Sequence, residues 1–462
     1  VMKISFLAKK PQKKEIALLQ LGAQKENFVF VSRYGEKIVS IGVPDREKIN
    51  LRNFHLLARK IVSFCKQNRV KFLYLDFGDF KFPNLDLTPY DTGRILAENF
   101  VVANYEFLKY KTDKSVFTLM KEVYVGDEVS KEARKGFADG LIVGQSVNGC
   151  RDLVNTPGGE LTPKSLVDHA RAISRAYKKV KTTVIGQKKA EALGMGGLVG
   201  VSKGSCEEAQ FIIMEYWGAP NSGKPIVLVG KGVTFDSGGI NIKPDEALSD
   251  MHMDMAGAGA VLHTLEAAAR LGLRKNIIAL IPATENMPSG NSYRPGDVLK
   301  TLSGKTVEVM STDAEGRLIL ADALTYAKKF RPKLVIDVAT LTGAAHSALG
   351  SRASAVFTKD HAIEHDLKSS GELAGDYIWP LPLWEEFEEE IRGQFADLTN
   401  TAKTRRGGAC TAAAFLWQFA KDYPWAHIDI APRMLPADDE YLAKGATGAP
   451  VRMLVRLLEN HK

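Results

Sequence analysis

Between residues 209 and 431 the chain repeats one pattern: a short, nearly unbroken apolar run, then a stretch with helical spacing. The apolar runs are AQFIIMEYW (209–217), PIVLVG (225–230), NIIALIPA (276–283), TVEVMS (306–311), LVIDVAT (334–340) and HIDIA (427–431). Among the stretches between them, AGAGAVLHTLEAAARLG (256–272) and EGRLILADALTYAKKF (315–330) have clear helical periodicity. A strand that is apolar along its whole length has no face to give to water. Such runs therefore predict a largely parallel sheet covered by helices on both sides. Ligands of such sheets bind beyond the carboxyl ends of the strands, so charged residues at those ends are the first candidates for chemistry.

The first 150 residues read differently. NFVFVSRY, KIVSIGV and KFLYLDFG alternate like strands, NLRNFHLLARKIVSFCKQN and YDTGRILAENFVVANYEFLKY have helical spacing, and KEARKGFADGLIVGQSVNGCRDLVN (131–155) reads as one long helix. At 462 residues the chain exceeds what one core usually holds. The predicted fold class is α/β: a small N-terminal α/β domain, 1–150, with the long helix bridging at its end, then a larger catalytic domain, 151–462. The larger domain is expected to have a mostly parallel central sheet flanked by helices. No internal repeat or low-complexity tract is visible.

Composition removes several classes of function. Hydrophobic residues at 45% and charged residues at 25% describe an ordinary globular protein. No run approaches the roughly 20 apolar residues of a membrane helix, and VMKISFLAKK lacks the apolar core of a signal peptide, so no membrane partner and a cytoplasmic setting are expected. The four cysteines have no CxxC spacing and the nine histidines are scattered, without HExxH. Any metal must then be held mainly by oxygen. Residues 1–72 carry 16 Lys and Arg against 5 Asp and Glu, a basic excess that admits nucleic acid. No recognition motif accompanies it, and a solvated lysine-rich face is the preferred reading.

Chemistry concentrates in three segments. VGKGVTFDSGGINIK (229–243) places Lys231 directly after an apolar strand and Asp236 and Lys243 in the glycine-rich loop expected to follow; MHMDMAGAGA (251–260) places Asp254 where a helix begins; STDAEGRL (311–318) places Asp313 and Glu315 between a strand and a helix. Singly, an Asp at a helix start is an N-cap. Jointly, four carboxylates on one rim repel unless cations lie among them, and two divalent ions would neutralise them. Two ions roughly 3.5–4 Å apart share a hydroxide that attacks a carbonyl or phosphoryl centre. A lysine beside the ions can serve as a neutral amine ligand, and one farther off stays protonated to stabilise an oxyanion. These residues alone do not choose between peptide and phosphate, and a two-metal phosphoesterase or nuclease is the alternative. VGKGVT lacks GxxxxGK[ST] spacing, no GxGxxG occurs, and no GxSxG is present.

Those three segments, with CRDLVNTPGGELTP, LVIDVATLTGA, GGACTAAAFL, WAHIDIA and GATGAPVRML, resemble the signature segments of the leucyl aminopeptidases, the cytosol aminopeptidase family of two-metal exopeptidases. The resemblance covers the chain from about 150 onward. It implies hydrolysis of N-terminal residues, leucine and other apolar ones favoured, from peptides with a free amino terminus, through a metal-bridging hydroxide. Zinc is the implied metal, with manganese or magnesium accepted at the looser site. By motif, Lys231, Asp236, Asp254 and Glu315 hold the exchangeable ion and Asp236, Asp313 and Glu315 the tighter one. Lys243 is the electrophilic aid and Arg317 the holder of a bicarbonate that takes the water proton. Met251 lines the first side-chain pocket, and backbone groups of Thr340, Leu341 and Gly343 hold the peptide. A homo-hexamer, a dimer of trimers, is also implied, and DNA binding by some family members leaves the same possible for the basic stretch. Two departures stand out: Ser311, where asparagine is common, and NTPGGELTP, in which another residue replaces a more usual second proline.

Overall fold

The computed structural model of the chain describes residues 2–11, 13–43, 45–126, 129–220, 223–404 and 406–461. These form two compact units, one running to Asn148 and including Pro436–Lys444, the other comprising Gly149–Leu435 and the chain from Gly445 onward. The division falls inside the helix Lys131–Val154.

The smaller unit is a six-stranded sheet of β1 (Lys3–Phe6), β2 (Ala17–Gly22), β3 (Phe28–Val31), β4 (Lys37–Gly42), β5 (Phe72–Asp76) and β6 (Glu122–Gly126), in the order β1-β6-β5-β2-β4-β3. All pairings except β3 with β4 are parallel. The helices Leu51–Gln67 and Pro89–Ala103 cover it, opened by Asn50 and Thr88, whose side chains accept the Asn53 and Asp91 backbone N–H. Phe54, Ile61, Ile95, Phe100 and Phe137 share its core with Val39, Leu73 and Val123.

The larger unit holds β7 (Val180–Gly186), β8 (Gln210–Trp217), β9 (Ile226–Gly230), β10 (Gly232–Asp236), β11 (Asn276–Asn286), β12 (Val298–Lys300), β13 (Thr306–Glu308), β14 (Leu334–Ala339), β15 (Ser354–Phe357), β16 (Ile378–Pro380), β17 (Leu398–Thr399) and β18 (Trp425–Asp429). Its main sheet runs β16-β15-β18-β14-β9-β11-β8-β7, with β10 on β11. Pairings from β9 through β11, β14 and β18 are parallel, and β8 with β7 adds an antiparallel edge. Every residue of β9, β14 and β18 is buried, as continuous apolar runs require. Val227, Val229 and Val335 pack against the helices Gly316–Ala327 and Gly408–Ala420. The helix Ala256–Leu271 packs on β9 and β14 so closely that a Cβ on Gly257 would lie 2.1 Å from the Val338 carbonyl oxygen.

Two expectations change. TVEVMS contributes only β13, which lies outside the main sheet in a three-stranded sheet with β12 and β17; its Val307 and Glu308 pair with Leu398 and Thr399 of β17 instead. The segment after Lys231 is not all loop either: Gly232–Asp236 is a strand, and Asp236 is its last residue.

That strand positions the site. β11 pairs β9 along Ile277–Leu280 and β10 along Ala283–Asn286, so the chain continues beside β11 past Lys231. β14 pairs β9 but not β10. The Lys231 N–H makes the last link across, to the Val338 carbonyl at 3.0 Å, and beyond it the sheet opens into a notch.

Candidate active site

Both lysines of the 229–243 segment enter this notch. Lys231 Nζ lies 2.7 Å from Asp254 Oδ2 and 2.8 Å from Glu315 Oε1, and donates to the Thr340 carbonyl at 2.9 Å. Lys243 Nζ lies 2.8 Å from Asp236 Oδ2 and 2.5 Å from Asp313 Oδ1. The four predicted acids are thus gathered around two ammonium groups, so acids outnumber lysines by two. Asp236, Asp254 and Glu315 are buried, while Asp313 is 37% exposed at its side chain. Asp236, Asp313 and Glu315 each bring one carboxylate oxygen within 4.8 Å of the others, a set able to hold a metal ion. Gly316 leaves room for this arrangement, because a Cβ there would come 2.8 Å from Lys231 Nζ.

The electrostatics follow from burial and neighbours. Burial raises the Asp236 carboxyl, Glu315 raises it further, and Lys243 and Lys231 only partly offset this, so it stands at about 6. Burial likewise pushes Asp254 well above the carboxylate range against the pull of Lys231. Glu315 goes the other way: despite burial, Lys231 and Lys243 hold it low. Burial opposes charge on both lysines, but the surrounding carboxylates, Asp254 first for Lys231 and Asp236 first for Lys243, keep them above the ordinary lysine range. Asp254 Oδ2 remains a buried oxygen without a donor in hydrogen-bonding geometry, although Lys231 lies beside it.

A cavity of about 460 Å³ opens on this cluster and is lined by all five of Lys231, Asp236, Asp254, Asp313 and Glu315, with Lys243, Met251, Arg317 and Thr340–Gly343. Every residue singled out from the sequence therefore faces one space. Its remaining wall includes Pro244, Ala247, His346, Ala431 and Met434, which sequence reasoning missed. A second cavity of about 800 Å³ shares Lys243, Asp313, Arg317 and Leu341–Gly343 and extends to Met310, Gln394 and Lys403. Arg317 is buried, and its Nε has no hydrogen-bond partner. Burial lowers its pKa to about 10, with Glu315 and Asp429 opposing, so it remains a cation at neutral pH, aimed into a pocket rather than at an acid.

A frame of polar side chains holds the acids in place. Thr340 Oγ1 donates to Asp254 Oδ1 at 2.6 Å. Asp429, at the end of β18, accepts from the Leu341 N–H at 3.1 Å and the Thr342 hydroxyl at 2.7 Å. Asn400 accepts from the Met310 N–H at 2.7 Å and donates to the Ser311 carbonyl at 2.6 Å. Asn286 Nδ2 donates to Asp236 Oδ1 at 2.8 Å and to the Thr312 carbonyl at 2.9 Å. Of these only Thr340 was singled out in the sequence, for its backbone groups. A strand-end position was the signal available for Asn286, Asp429 had that and its place in WAHIDIA, and Asn400 had none.

Comparison with known proteins identifies the family. The model of the cytosol aminopeptidase family catalytic domain matches residues 148–455, and that of the family's N-terminal domain matches residues 20–114. The probable cytosol aminopeptidase of Nitrosococcus oceani is 41% identical over 430 residues, 92% of this chain and 84% of that protein. Its counterpart in Roseiflexus castenholzii is 42% identical over 435 residues, 92% of this chain and 87% of that protein. The solved structure of the bottromycin maturation enzyme BotP in complex with Mn superposes with a TM-score of 0.87 at 32% identity, covering 96% of this chain and 98% of that one. With both domain models matched in order and close relatives spanning nearly its whole length, this chain belongs to the cytosol aminopeptidase family and is a peptidase.

Proposed function

We propose that this peptidase is a metal-dependent aminopeptidase that releases N-terminal residues, leucine and other apolar ones foremost, from peptides with a free amino terminus. The observation that carries the reading is the excess of acids over lysines in one pocket, with Asp236, Asp313 and Glu315 each bringing a carboxylate oxygen within 4.8 Å of the others. Clustered acids that outnumber their lysine partners in a buried site call for a cation. The donor set of hard carboxylate oxygens with one amine suits zinc, manganese or magnesium, and the superposable BotP is described in complex with Mn. Lys231, as a neutral amine once an ion displaces its proton, would hold an exchangeable ion with Asp236, Asp254 and Glu315, and Asp236, Asp313 and Glu315 would hold a tighter one. Divalent ions there would supply Lewis acidity toward a peptide carbonyl and a low-pKa water.

The chain's own groups do the remaining work. Lys243, kept protonated by its carboxylate neighbours and facing both cavities, is a fixed positive charge for the oxygen that becomes negative in the transition state. Arg317 presents a buried, unpaired guanidinium whose forked donors match a planar anion. Bicarbonate bound to it would supply the proton-accepting oxygen that the committed carboxylates lack. An ion in the site would offer a coordination place to a free α-amino group, which a blocked terminus lacks, and Met251, Ala247, Ala431 and Met434 favour an apolar first side chain. Backbone groups of Thr340, Leu341 and Gly343, on the wall of the same cavity, would hold the peptide backbone. A hexamer working in the cytoplasm completes the reading. The phosphoesterase alternative gives way to family membership.

The test is hydrolysis of a leucine anilide beside its N-acetylated counterpart, before chelation, after it, and after manganese or zinc is added back. Cleavage of the free-amine substrate alone, lost on chelation and restored by metal, is expected. Folded, metal-supplied enzyme that cleaves neither substrate overturns the proposal.

A further inference from the structure

We propose that Asn286 is a positioning residue that locks Asp236 and the loop carrying Asp313 and Glu315 into one cation-binding arrangement; this rests on the divalent-ion reading above. Asn286 is the last residue of β11 and the register partner of Asp236, the last residue of β10. Its side chain is fully buried. One amide nitrogen donates twice, to Asp236 Oδ1 at 2.8 Å and to the Thr312 carbonyl at 2.9 Å. The Gly238 N–H also donates to Asp236 Oδ1, at 2.9 Å. That oxygen is therefore held by two donors, and Oδ2 is the one turned to the cluster, 2.8 Å from Lys243 Nζ. The partners also settle which amide atom is which, because a flipped amide would set its oxygen against a carboxylate and a carbonyl.

The Thr312 side reinforces the lock. Its hydroxyl donates to the Gly238 carbonyl at 2.6 Å and accepts from the Asn241 N–H at 2.9 Å. Two acid-bearing segments distant in sequence thus share an amide and a hydroxyl. The chemistry of the amide matters. Lysine or arginine at 286 would neutralise Asp236 and compete with a cation, whereas a carboxylate would repel it. An amide orients the acid and leaves its charge available, the role that outer hydrogen bonds play around metal ligands. Asn286 Oδ1 is buried without a donor. An unmet acceptor destabilises a fold, so local stability alone does not account for an asparagine at this place.

The experiment compares wild type, Asn286→Leu, which keeps the branched shape without donors, and Asn286→Ala. Metal-free proteins compete with a chromophoric chelator for Mn²⁺ and for Zn²⁺, and each is checked by circular dichroism and thermal unfolding. Both variants are expected to fold metal-free and to bind at least one equivalent about 10–100-fold more weakly than wild type. A folded variant with wild-type affinity for both equivalents overturns the proposal, as does a fall in metal-free thermal stability with affinity unchanged. Should Asn286→Leu not fold, Asn286→Ala decides by the same criterion. Wild type that takes up neither ion overturns the cation reading itself, a result distinguishable from failure of the Asn286 role alone.

Discussion

Lys231 and Lys243 stand twelve positions apart in one segment, yet their surroundings assign them different work. Lys231 is enclosed by Asp254, Glu315 and the Thr340 carbonyl, whereas Lys243 retains 16% side-chain exposure and reaches both cavities. Replacing Lys243 with alanine is therefore expected to lower kcat about 10²–10³-fold while leaving bound metal in place, since losing a transition-state donor costs about 3–4 kcal/mol. Steady-state kinetics with metal analysis checks this; loss of metal in parallel with kcat would instead make Lys243 part of the ion-holding frame. Arg317 makes a prediction of the opposite sign for stability. Its buried guanidinium lacks an acid partner, so Arg317→Met is expected to stabilise the metal-free protein by about 1–2 kcal/mol and to slow catalysis about 10²-fold. Arg317→Lys, without the fork, is expected not to restore the rate. Denaturant unfolding and kcat, measured on the same preparations, separate the two effects.

At the level of elements, β14 and β18 carry a buried polar pair in the middle of the sheet. Asp337 and His427 are register partners, with His427 Nδ1 2.6 Å from Asp337 Oδ1, and Trp425 Nε1 donates to Asp337 Oδ2 at 2.7 Å. Burial would lower the imidazole pKa, but Asp337 outweighs it and raises the value above normal. A histidine pKa raised on folding contributes stability that is full below the unfolded value near 6.5 and is lost as pH rises through the folded value. Thermal stability is thus expected to decline from pH 6 toward pH 9, and Asp337→Asn, which can still accept from Trp425, is expected to flatten that decline. Melting curves across this range decide, and an unchanged slope in the variant removes His427 as the source. A second prediction concerns the helix Ala256–Leu271, whose start follows Asp254. Gly257→Ala would force its Cβ onto the Val338 carbonyl, so the helix must shift. We expect a loss of about 1–3 kcal/mol together with weaker metal binding, checked by unfolding and chelator competition.

For the whole molecule, the clustered acids are expected to make stability respond to cations. Four acids share two lysines in the metal-free site, so ions that bind only the folded state would stabilise it, by about 4 kcal/mol at a thousandfold excess over Kd. Chelation is expected to lower the melting temperature and manganese or zinc to restore it, in a scan that needs no substrate. An unchanged melting temperature in protein confirmed metal-free by elemental analysis would remove the cations from the stability of the fold. Light scattering of the metal-loaded enzyme checks the hexamer, and a monomeric mass would withdraw that part of the reading.

What the sequence determined by itself was whatever is local. Continuous apolar runs specify buried parallel strands, because a strand covered on both faces has no polar side to display; β9, β14 and β18 follow directly. Lys231, Asp236, Asp254, Asp313 and Glu315 were legible as a group because each lies in a short segment next to a strand end or a helix start, whereas Arg317 was marked only by its motif. Tertiary structure alone decided the rest. That Gly232–Asp236 is a strand depends on the far half of β11 being free to pair with it, and that TVEVMS leaves the main sheet depends on where β17 lies, 90 residues later. Asn286, Asn400 and Asp429 gain meaning only from the backbone groups they meet. The reason is physical: periodicity and backbone preference are properties of neighbours in the chain, whereas the partner of a buried amide or carboxylate exists only once distant segments have packed together.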